Sequence, residues 1–298
     1  MSDHWTVDDM PDLTGKVMVV TGANRGLGYE IVRALARKNA TVVMACRNLD
    51  KACAAAQTLR DETAGARLDM LPLDLADLAS VRTFAAAITS KYPALHALVN
   101  NAAAMLPPLT KTRDGFELQF GTNHLGHFAL TGLLLDRPLR TPGARIASMS
   151  SAAHRLGSGR IDFDNLNGER RYKAFEAYAQ SKLANILFIL QLNRQLAACG
   201  SAVIGVVAHP GWVVTGPRRG IAGIIAQRPA RGALPMLRAI TDPAAQRNDF
   251  FGPGALMELR GTPKRTTPSA AAQSIASAER LWRVSETLTG IHYAWPGD

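Results

Sequence analysis

The chain has 298 residues, 47% of them hydrophobic and 19% charged, which suffices to bury the core of one large α/β domain. The formal net charge of +10 comes without interleaved aromatic residues or a recognition motif, so we expect no nucleic-acid partner. Three cysteines without a C-x-x-C pair predict neither a disulfide framework nor a metal site, and no apolar run approaches the ~20 residues of a membrane span. Residues 1–12 are acidic and polar, unlike a signal or transit peptide, so we expect a cytoplasmic protein.

Residues 16–36 join a short β-branched run, a glycine-rich turn and an amphipathic segment without a break. The run at residues 17–20 is typical of a strand buried on both faces, and residues 29–36 have the spacing of a helix. The turn at residues 21–28 permits a tight bend, and the helix that follows it directs free N–H groups at an anion such as a pyrophosphate. Taken alone, the same pattern also fits an ordinary connection between a strand and a helix.

A second strand at residues 41–46 completes a βαβ unit, which favours a dinucleotide site. An acidic residue at the end of this strand would bind a ribose 2′-hydroxyl, but the chain has Cys46 and Arg47 there. Arg25 lies within the glycine turn, and two guanidinium groups are suited to a 2′-phosphate. The pattern therefore favours NADP over NAD, unless both arginines only cap and solvate loops.

The remaining elements continue the alternation of helices and strands. Helices are predicted at residues 49–60, 79 onward, 116–135, 174–198 and 270–287, and strands at residues 67–73, 95–99, 145–149, 203–207 and 291–295. Asp74 follows a strand, where it either accepts a hydrogen bond from adenine or caps the helix that begins at Ala79. Asn123 lies in mid-helix, where its amide either bonds inward or is harmlessly exposed. Tyr178 and Lys182 are four residues apart on one helix, so their Cβ atoms lie about 5–6 Å apart.

These motifs occur in a characteristic order: the glycine turn, Asn100–Asn101–Ala102, Asn123, Ser150–Ser151, Tyr178-x3-Lys182 and Pro210–Gly211. In order and spacing they resemble the short-chain dehydrogenase/reductase family over residues 13–214 and again near residue 288. Residues 46–48, 123–128 and 178–188 are most similar to the branch that contains the retinol dehydrogenases and their bacterial relatives.

The resemblance implies a single doubly wound Rossmann domain of class α/β, with a parallel seven-stranded sheet flanked by helices. Residues 1–12 would form an N-terminal extension and residues 216–265 an extended substrate lid. The implied catalytic tetrad is Asn123, Ser151, Tyr178 and Lys182. The implied cofactor contacts are Gly22, Asn24, Arg25, Gly26, Leu27, Gly28, Arg47, Asn48, Asp74, Leu75, Asn101, Ala102, Ala103, Tyr178, Lys182, Pro210, Gly211, Val213 and Thr215. Ala103 departs from the glycine that is usual in the family.

The chemistry of the tetrad can be argued from the side chains themselves. When a hydride moves between nicotinamide and a carbonyl carbon, a proton must follow at the oxygen, and Tyr178 can supply it if a cation lowers its pKa. Lys182 is the expected cation, and it can also bind the nicotinamide ribose. Ser151 donates a hydrogen bond to the carbonyl oxygen. Asn123 would hold a water that links Lys182 to solvent, as the resemblance implies.

We therefore expect an NADP(H)-dependent oxidoreductase acting on a bulky lipophilic carbonyl or alcohol. The alternative is a catalytically idle NADP(H)-binding sensor on the same fold. Apolar residues of the later chain either line a substrate pocket or pack in the core; they are Ile221, Ile224, Ile225, Leu234, Met236, Leu237, Phe250 and Phe251. The helix at residues 174–198 is apolar nearly all round, which suggests a homo-oligomer, and the basic residues 216–238 leave a peripheral membrane role open.

Overall fold

The computed structural model describes residues 4–214 and 226–296, in which strands and helices alternate along most of the chain. The strands are β1 (Val17–Thr21), β2 (Thr41–Cys46), β3 (Arg67–Pro72), β4 (Ala97–Asn100), β5 (Arg145–Met149), β6 (Ile204–Ala208), β7 (Phe250–Ala255) and β8 (Arg260–Thr266). The α-helices are α1 (Gly26–Arg37), α2 (Leu49–Glu62), α3 (Leu78–Lys91), α4 (Leu118–Phe120), α5 (Gly126–Leu134), α6 (Asp136–Leu139), α7 (Ala174–Ala198), α8 (Pro229–Thr241) and α9 (Ile275–Thr289). Short 3-10 turns lie at Val7–Asp9, Ala152–Arg155 and Ala270–Gln273, and Gly121–Leu125 forms one π-helical turn.

The strands form one sheet in the order β3-β2-β1-β4-β5-β6-β7-β8. Strands β1 to β7 pair in parallel, while β8 returns antiparallel to β7. The strand order reverses between β1 and β4, which are neighbours in the sheet although β2 and β3 separate them in the chain. Ligands of open α/β sheets bind outside the carboxyl ends of the strands at such a reversal. We therefore expect a ligand site at the edge of the sheet where β1 ends at Thr21 and β4 ends at Asn100.

Apolar side chains pack against both faces of the sheet, as the β-branched composition of the central strands predicts. One layer contains the buried sides of α1, α2 and α8, and the other contains those of α3, α5, α7 and α9. Trp5 and Met10 of the N-terminal extension are buried in the first layer. The predicted doubly wound α/β domain is confirmed, with eight strands rather than seven.

The additional strands come from the region that the sequence assigned to an excursion over the domain. Residues 250–255 and 260–266 form the β7–β8 hairpin, which extends the sheet beyond β6. Phe250 and Phe251 are 2% and 0% exposed, and Met236 and Leu237 of α8 are also buried. For these four residues core packing is the correct alternative, whereas Leu234 is only partly buried. Ile221, Ile224 and Ile225 lie outside the described residues.

The strand predicted at residues 291–295 is wrong. The alternation of Ile291, Tyr293 and Trp295 is typical of a strand, but these side chains pack against helices instead of pairing with the sheet. The ring centroid of Tyr293 lies 4.5 Å from that of Trp282, and its hydroxyl donates to the carbonyl oxygen of Phe128 at 2.7 Å. Aromatic packing thus produced a period of two without a strand.

Helix α7 begins and ends where the sequence predicts. Its apolar residues, which lie on nearly all sides of the helix, are covered by other parts of the same chain and need no second subunit. One side of the helix packs toward the sheet, and Phe188 stacks on Trp282 of α9 with ring centroids 5.9 Å apart. Arg194 of α7 also pairs with Glu279 of α9 at 3.0 Å. The composition of α7 is therefore accounted for within one chain and no longer supports an oligomer. Among the described residues, no helix is both long and apolar enough to cross a membrane.

Candidate active site

The glycine turn after β1 has the tight geometry that its sequence predicts. Gly22 and Gly26 adopt φ values of +65° and +58°, in the left-handed region that favours glycine. A Cβ atom on Gly28 would overlap the carbonyl oxygen of Gly22 and lie 2.8 Å from Asn101 Nδ2. Because no side chain fits between these groups, the N-terminus of α1 can approach the loop after β4 closely. The backbone there forms a cradle of the kind that binds a diphosphate.

Thr21 joins this turn to the loop after β4. Its Oγ1 accepts hydrogen bonds from the backbone N–H groups of Asn101 and Ala102, both at 2.9 Å, and lies 2.9 Å from His127 Nε2. Both lone pairs of the hydroxyl are used by these two N–H groups, so its proton must be donated. We assign the proton to His127 Nε2, because that distance is shorter than the 3.3 Å from Oγ1 to the Val99 carbonyl oxygen. The side chain of Asn101 donates to the Thr21 carbonyl at 2.8 Å. This amide therefore holds the loop after β4 against the end of β1.

The end of β2 carries positive charge and a neutral thiol. Arg47 and Arg25 are exposed, and neither guanidinium has an ion pair or hydrogen bond with the part of the chain that the structure describes. Cys46 is buried against backbone N–H groups of the glycine turn, and burial raises the pKa of its thiol to about 11. Asn48, predicted as a cofactor contact, uses its side chain to cap α2 by accepting from the N–H of Lys51 at 2.8 Å. The exposed guanidinium groups of Arg25 and Arg47 thus lie at this edge beside a neutral thiol.

Asp74 does not cap α3, so that alternative is wrong. Asp77 is the cap, and its Oδ1 accepts from the N–H of Ala79 at 3.0 Å. The helix begins at residue 78, one residue earlier than predicted, and Asp74 remains at the end of β3. Leu75 is buried, whereas Ala103 is exposed on the loop after β4. The adenine contact of Asp74 stays a prediction.

Asn123 is fully buried and lies in the π-helical turn that interrupts the predicted helix at residues 116–135. Its Oδ1 accepts from the N–H of Ala104 at 2.8 Å, and its Nδ2 donates to the Ala104 carbonyl at 3.0 Å and to Ser181 Oγ at 2.9 Å. The inward alternative is therefore correct. Single π turns of this kind are frequent at functional sites, because they redirect one residue of a helix. The side chain fastens the loop after β4 to α7.

The two serines after β5 have different environments. Ser150 is buried, and its hydroxyl donates to the backbone carbonyl of Lys182 at 2.8 Å. Ser151 begins the 3-10 turn Ala152–Arg155, where its hydroxyl accepts from the N–H of Ala153 at 3.2 Å and remains able to donate. The hydroxyl of Ser151 is therefore the one still able to donate to a ligand, and its catalytic role stays a prediction.

Tyr178 and Lys182 face this serine from α7. Burial raises the pKa of the Tyr178 phenol, and a side-chain hydrogen bond with Ser151 acts in the opposite direction. The ammonium of Lys182 lies 5.6 Å from the Tyr178 ring centroid, and burial lowers its pKa to about 8. The expected lowering of the Tyr178 pKa is therefore not found in the protein alone, because burial outweighs the other influences.

Lys182 is also a buried cation with spare hydrogen-bonding capacity. Its Nζ donates to the Met149 carbonyl at 3.1 Å, and an ammonium has three donors. Within the described residues the ammonium makes this one hydrogen bond, which leaves two of its donors for a ligand. A ligand with hydroxyl groups, such as a nicotinamide ribose, suits the two remaining donors. No group of His, Cys, Asp and Glu in the described part of the chain is arranged to hold a metal ion.

The segment after β6 closes the other side of the site. Gly211 has a φ of +69°, and a Cβ atom there would crowd the carbonyl of Leu259. A Cβ on Gly232 of α8 would overlap Val213 and lie 3.0 Å from Leu27 Cδ2, so two predicted cofactor contacts meet at this glycine. Pro210 accepts a hydrogen bond on its carbonyl from Gln227 at 2.6 Å. Thr215, the last predicted contact, lies outside the described residues.

Two charged or polar residues were missed by the sequence reasoning. His127 lies between Thr21 and the Asn123 carbonyl, to which its Nδ1 is 3.0 Å. Residues four apart share one face of a helix, so the spacing from Asn123 could have identified His127 as a neighbour of the site. Glu258 accepts from His209 Nε2 at 2.9 Å and from Arg155 at 3.3 Å. No local pattern identifies Glu258, because its partners are about 50 and 100 residues away.

Comparison with known proteins places this geometry in a family. Residues 16–222 match the model of the short chain dehydrogenase family. Retinol dehydrogenase 12 of Mus musculus is 39% identical over 285 residues, covering 94% of this chain and 88% of the relative. Polyprenol dehydrogenase of Danio rerio is 38% identical, covering 95% of this chain and 89% of the relative. The solved structure of an uncharacterised protein from Mycobacterium paratuberculosis has a TM-score of 0.84 and 39% identity, covering 98% of this chain and 99% of that one.

The chain belongs to the short-chain dehydrogenase family, and its relatives place it in the retinol dehydrogenase-like branch. Both parts of the resemblance predicted from the motifs are thereby confirmed. Membership makes the protein an oxidoreductase of alcohols or carbonyls that binds a nicotinamide dinucleotide. The glycine cradle and the spare donors of Lys182 fit such a cofactor.

Proposed function

We propose that the protein is an NADP(H)-dependent oxidoreductase that interconverts a lipophilic alcohol and its carbonyl, with Tyr178 as general acid and base. The observation that carries the proposal is the arrangement around Tyr178. The Ser151 hydroxyl acts on the Tyr178 phenol to lower its pKa, against the effect of burial, and the ammonium of Lys182 lies 5.6 Å from the Tyr178 ring centroid. A proton donor, a hydrogen-bond donor and a cation thus converge where a carbonyl oxygen can bind.

The residues of the chain have separate tasks in this reaction. The nicotinamide cofactor, when bound, supplies or accepts the hydride. Ser151 donates a hydrogen bond to the carbonyl oxygen and so polarises the bond, and Tyr178 delivers the proton to the same oxygen. Lys182 uses its spare donors to hold the ribose and its charge to favour the phenolate left on Tyr178. Asn123 holds the loop after β4 against α7 through Ala104 and Ser181.

The preference for NADP rests on the charges at the end of β2. Arg25 and Arg47 offer exposed guanidinium groups, and the Cys46 thiol, whose pKa burial raises to about 11, carries no negative charge at neutral pH. A 2′-phosphate would therefore meet two cations beside a neutral thiol at the end of β2. Arg47→Asp should lower the ratio of NADPH to NADH affinity roughly tenfold to a hundredfold, since hydrogen bonds to charged groups contribute about 1.5–3 kcal/mol. An unaltered ratio would refute this role of Arg47.

The lipophilic character of the substrate is inferred from the site and from the relatives. Two relatives, both near 40% identity, are named for retinol and polyprenol, which are long apolar alcohols. In this chain, exposed apolar side chains flank the tetrad: Met105 and Leu106 follow the loop that Asn123 binds, and Phe175 precedes Tyr178 on α7. An apolar rim of this kind favours an apolar substrate over a sugar or an acid.

The proposal is tested by mixing purified protein with NADPH and a panel of lipophilic aldehydes and ketones. We expect a blue shift and a gain of NADPH fluorescence on binding, and turnover that Tyr178→Phe abolishes while binding is retained. Tyr92→Phe, at the C-terminal end of α3, is the matched control and should remain active. Full activity of Tyr178→Phe would sink the mechanism. Tight NADPH binding without turnover of any carbonyl would instead favour the idle sensor.

A further inference from the structure

The turn between β7 and β8 contains three successive non-glycine residues in the left-handed region. Leu256, Met257 and Glu258 have φ values of 47°, 54° and 65°. L-residues other than glycine adopt this region rarely, and then mostly as single residues. Three in a row persist only where surrounding contacts maintain them, and such backbone is concentrated at functional sites.

Glu258 provides those contacts. One carboxylate oxygen accepts from His209 Nε2 at 2.9 Å, and both oxygens lie 3.3 Å from Arg155 Nη2. A Cβ atom on Gly252 of β7 would overlap the His209 ring, so this glycine makes room for the contact. The next residue of the turn, Leu259, accepts on its carbonyl from the N–H of Trp212 at 2.8 Å.

These contacts fasten the turn to two segments of the candidate active site. Arg155 ends the 3-10 turn that begins at Ser151, a distance of about 8 Å at 2 Å per residue. His209 precedes Pro210 and Gly211, which are predicted cofactor contacts. Glu258 therefore fixes the turn relative to the catalytic serine on one side and to the cofactor loop on the other.

The turn exposes apolar side chains at this place. Leu256 is 55% exposed and Met257 93%, and Leu156 and Trp212, which adjoin the same contacts, are 56% and 40% exposed. Large apolar side chains that are exposed beside a site are of the kind that proteins use for binding. Neither Leu256 nor Met257 belongs to the buried core, so packing does not explain the left-handed backbone.

We propose that Leu256 and Met257 form the surface that binds the apolar part of the substrate, and that Glu258 is the positioning residue that holds this surface beside Ser151. The inference rests on the proposed function and adds the residues that determine chain-length specificity. The occupant is the hydrocarbon chain of an alcohol or aldehyde whose polar end reaches Ser151 and Tyr178. Contact with the surface contributes about fourfold in kcat/KM for each methylene that it buries.

The test is a homologous series of straight-chain aldehydes from butanal to dodecanal, reduced with NADPH by the full chain. In the wild-type protein, kcat/KM is expected to rise with chain length. In Met257→Ser and Leu256→Ser, the ratio of kcat/KM for dodecanal to that for butanal should fall at least tenfold. Ile275→Ser, which changes a 51% exposed aliphatic residue at the start of α9, is the matched control and should keep the wild-type ratio.

Glu258 is tested in the same series. Glu258→Ala should lower the dodecanal-to-butanal ratio at least tenfold through KM, and Glu258→Gln, which keeps an acceptor for His209, should recover part of it. A purely structural role would lower the melting temperature and reduce turnover of all aldehydes equally, which would overturn the positioning role. If wild-type protein reduces no aldehyde, the proposed function fails. If it reduces the series and Met257→Ser leaves the ratio unchanged, or alters only the oligomeric state, this inference is overturned.

Discussion

His127 is the residue whose replacement should separate cofactor binding from catalysis most clearly. Its ring connects Thr21 of the glycine turn to the backbone carbonyl of Asn123, at 2.9 Å and 3.0 Å. Because Thr21 directs its proton to Nε2, the ring proton must lie on Nδ1, which donates to Asn123. Burial lowers the pKa of His127 to about 4, so this neutral tautomer persists at neutral pH.

Each end of the ring can be imitated by a smaller amide. In His127→Asn the side-chain amide lies near the Nδ1 position and can still donate to Asn123, whereas in His127→Gln it reaches the Nε2 position and can still accept from Thr21. A buried polar group left without its partner costs about 1–3 kcal/mol, or roughly tenfold to a hundredfold at the affected step. Thr21 can turn to the Val99 carbonyl at 3.3 Å, so its loss should be at the lower end of that range.

The assay measures the NADPH dissociation constant by fluorescence and kcat by turnover of one aldehyde. For His127→Asn we expect weaker NADPH binding by about tenfold and a nearly normal kcat, because the Thr21 contact is lost. For His127→Gln we expect nearly normal binding and a kcat reduced by at least about tenfold. His127→Leu should show both defects. Equal effects of the Asn and Gln variants on both quantities would refute the assignment of the two ring nitrogens.

Three other outcomes follow from the geometry. Gly28→Ala should abolish NADPH binding while circular dichroism shows an intact fold, because the added Cβ overlaps the Gly22 carbonyl. Since burial lowers the pKa of Lys182 to about 8, kcat/KM for carbonyl reduction should fall as pH rises through about 8, as the ammonium loses its proton; a profile flat to pH 10 would contradict this. Trp282→Ala should reduce the free energy of unfolding in urea by about 3–5 kcal/mol, because the indole is buried among aromatic rings.

The features predicted well from sequence are those whose cause lies within a few residues. The glycine turn, the Tyr178–Lys182 pair and the bounds of α7 depend on local steric rules and on the helical repeat. Asn123 was recognised because an amide is a poor helix former, although the π-helical turn around it was not predicted. Local rules therefore predicted the glycine turn and α7, while the set of site residues came from the family resemblance and stays a prediction.

The features that were missed depend on contacts between distant segments. The β7–β8 hairpin contains glycine, proline and arginine, a composition more typical of loops than of strands, and only pairing with β6 makes it part of the sheet. The apparent strand at residues 291–295 is the opposite case, because Tyr293 and Trp282 create its alternation through helix packing. A period of two shows which side chains are buried, and the partner that buries them decides the secondary structure.

Two buried histidines, His127 and His154, connect segments of this site without adding titration near neutral pH. His127 joins the glycine turn to Asn123, and His154 joins the Ser151 carbonyl, 2.6 Å from its Nδ1, to the N–H of Ser269. Burial lowers the pKa of each ring to about 4, so both remain neutral spacers with a fixed donor and a fixed acceptor. A change of activity near pH 8 therefore belongs to Lys182 rather than to these rings. Burial disfavours the charged form in each case. It therefore keeps the two histidines neutral, and it brings the pKa of Lys182 down into the range where the ammonium loses its proton.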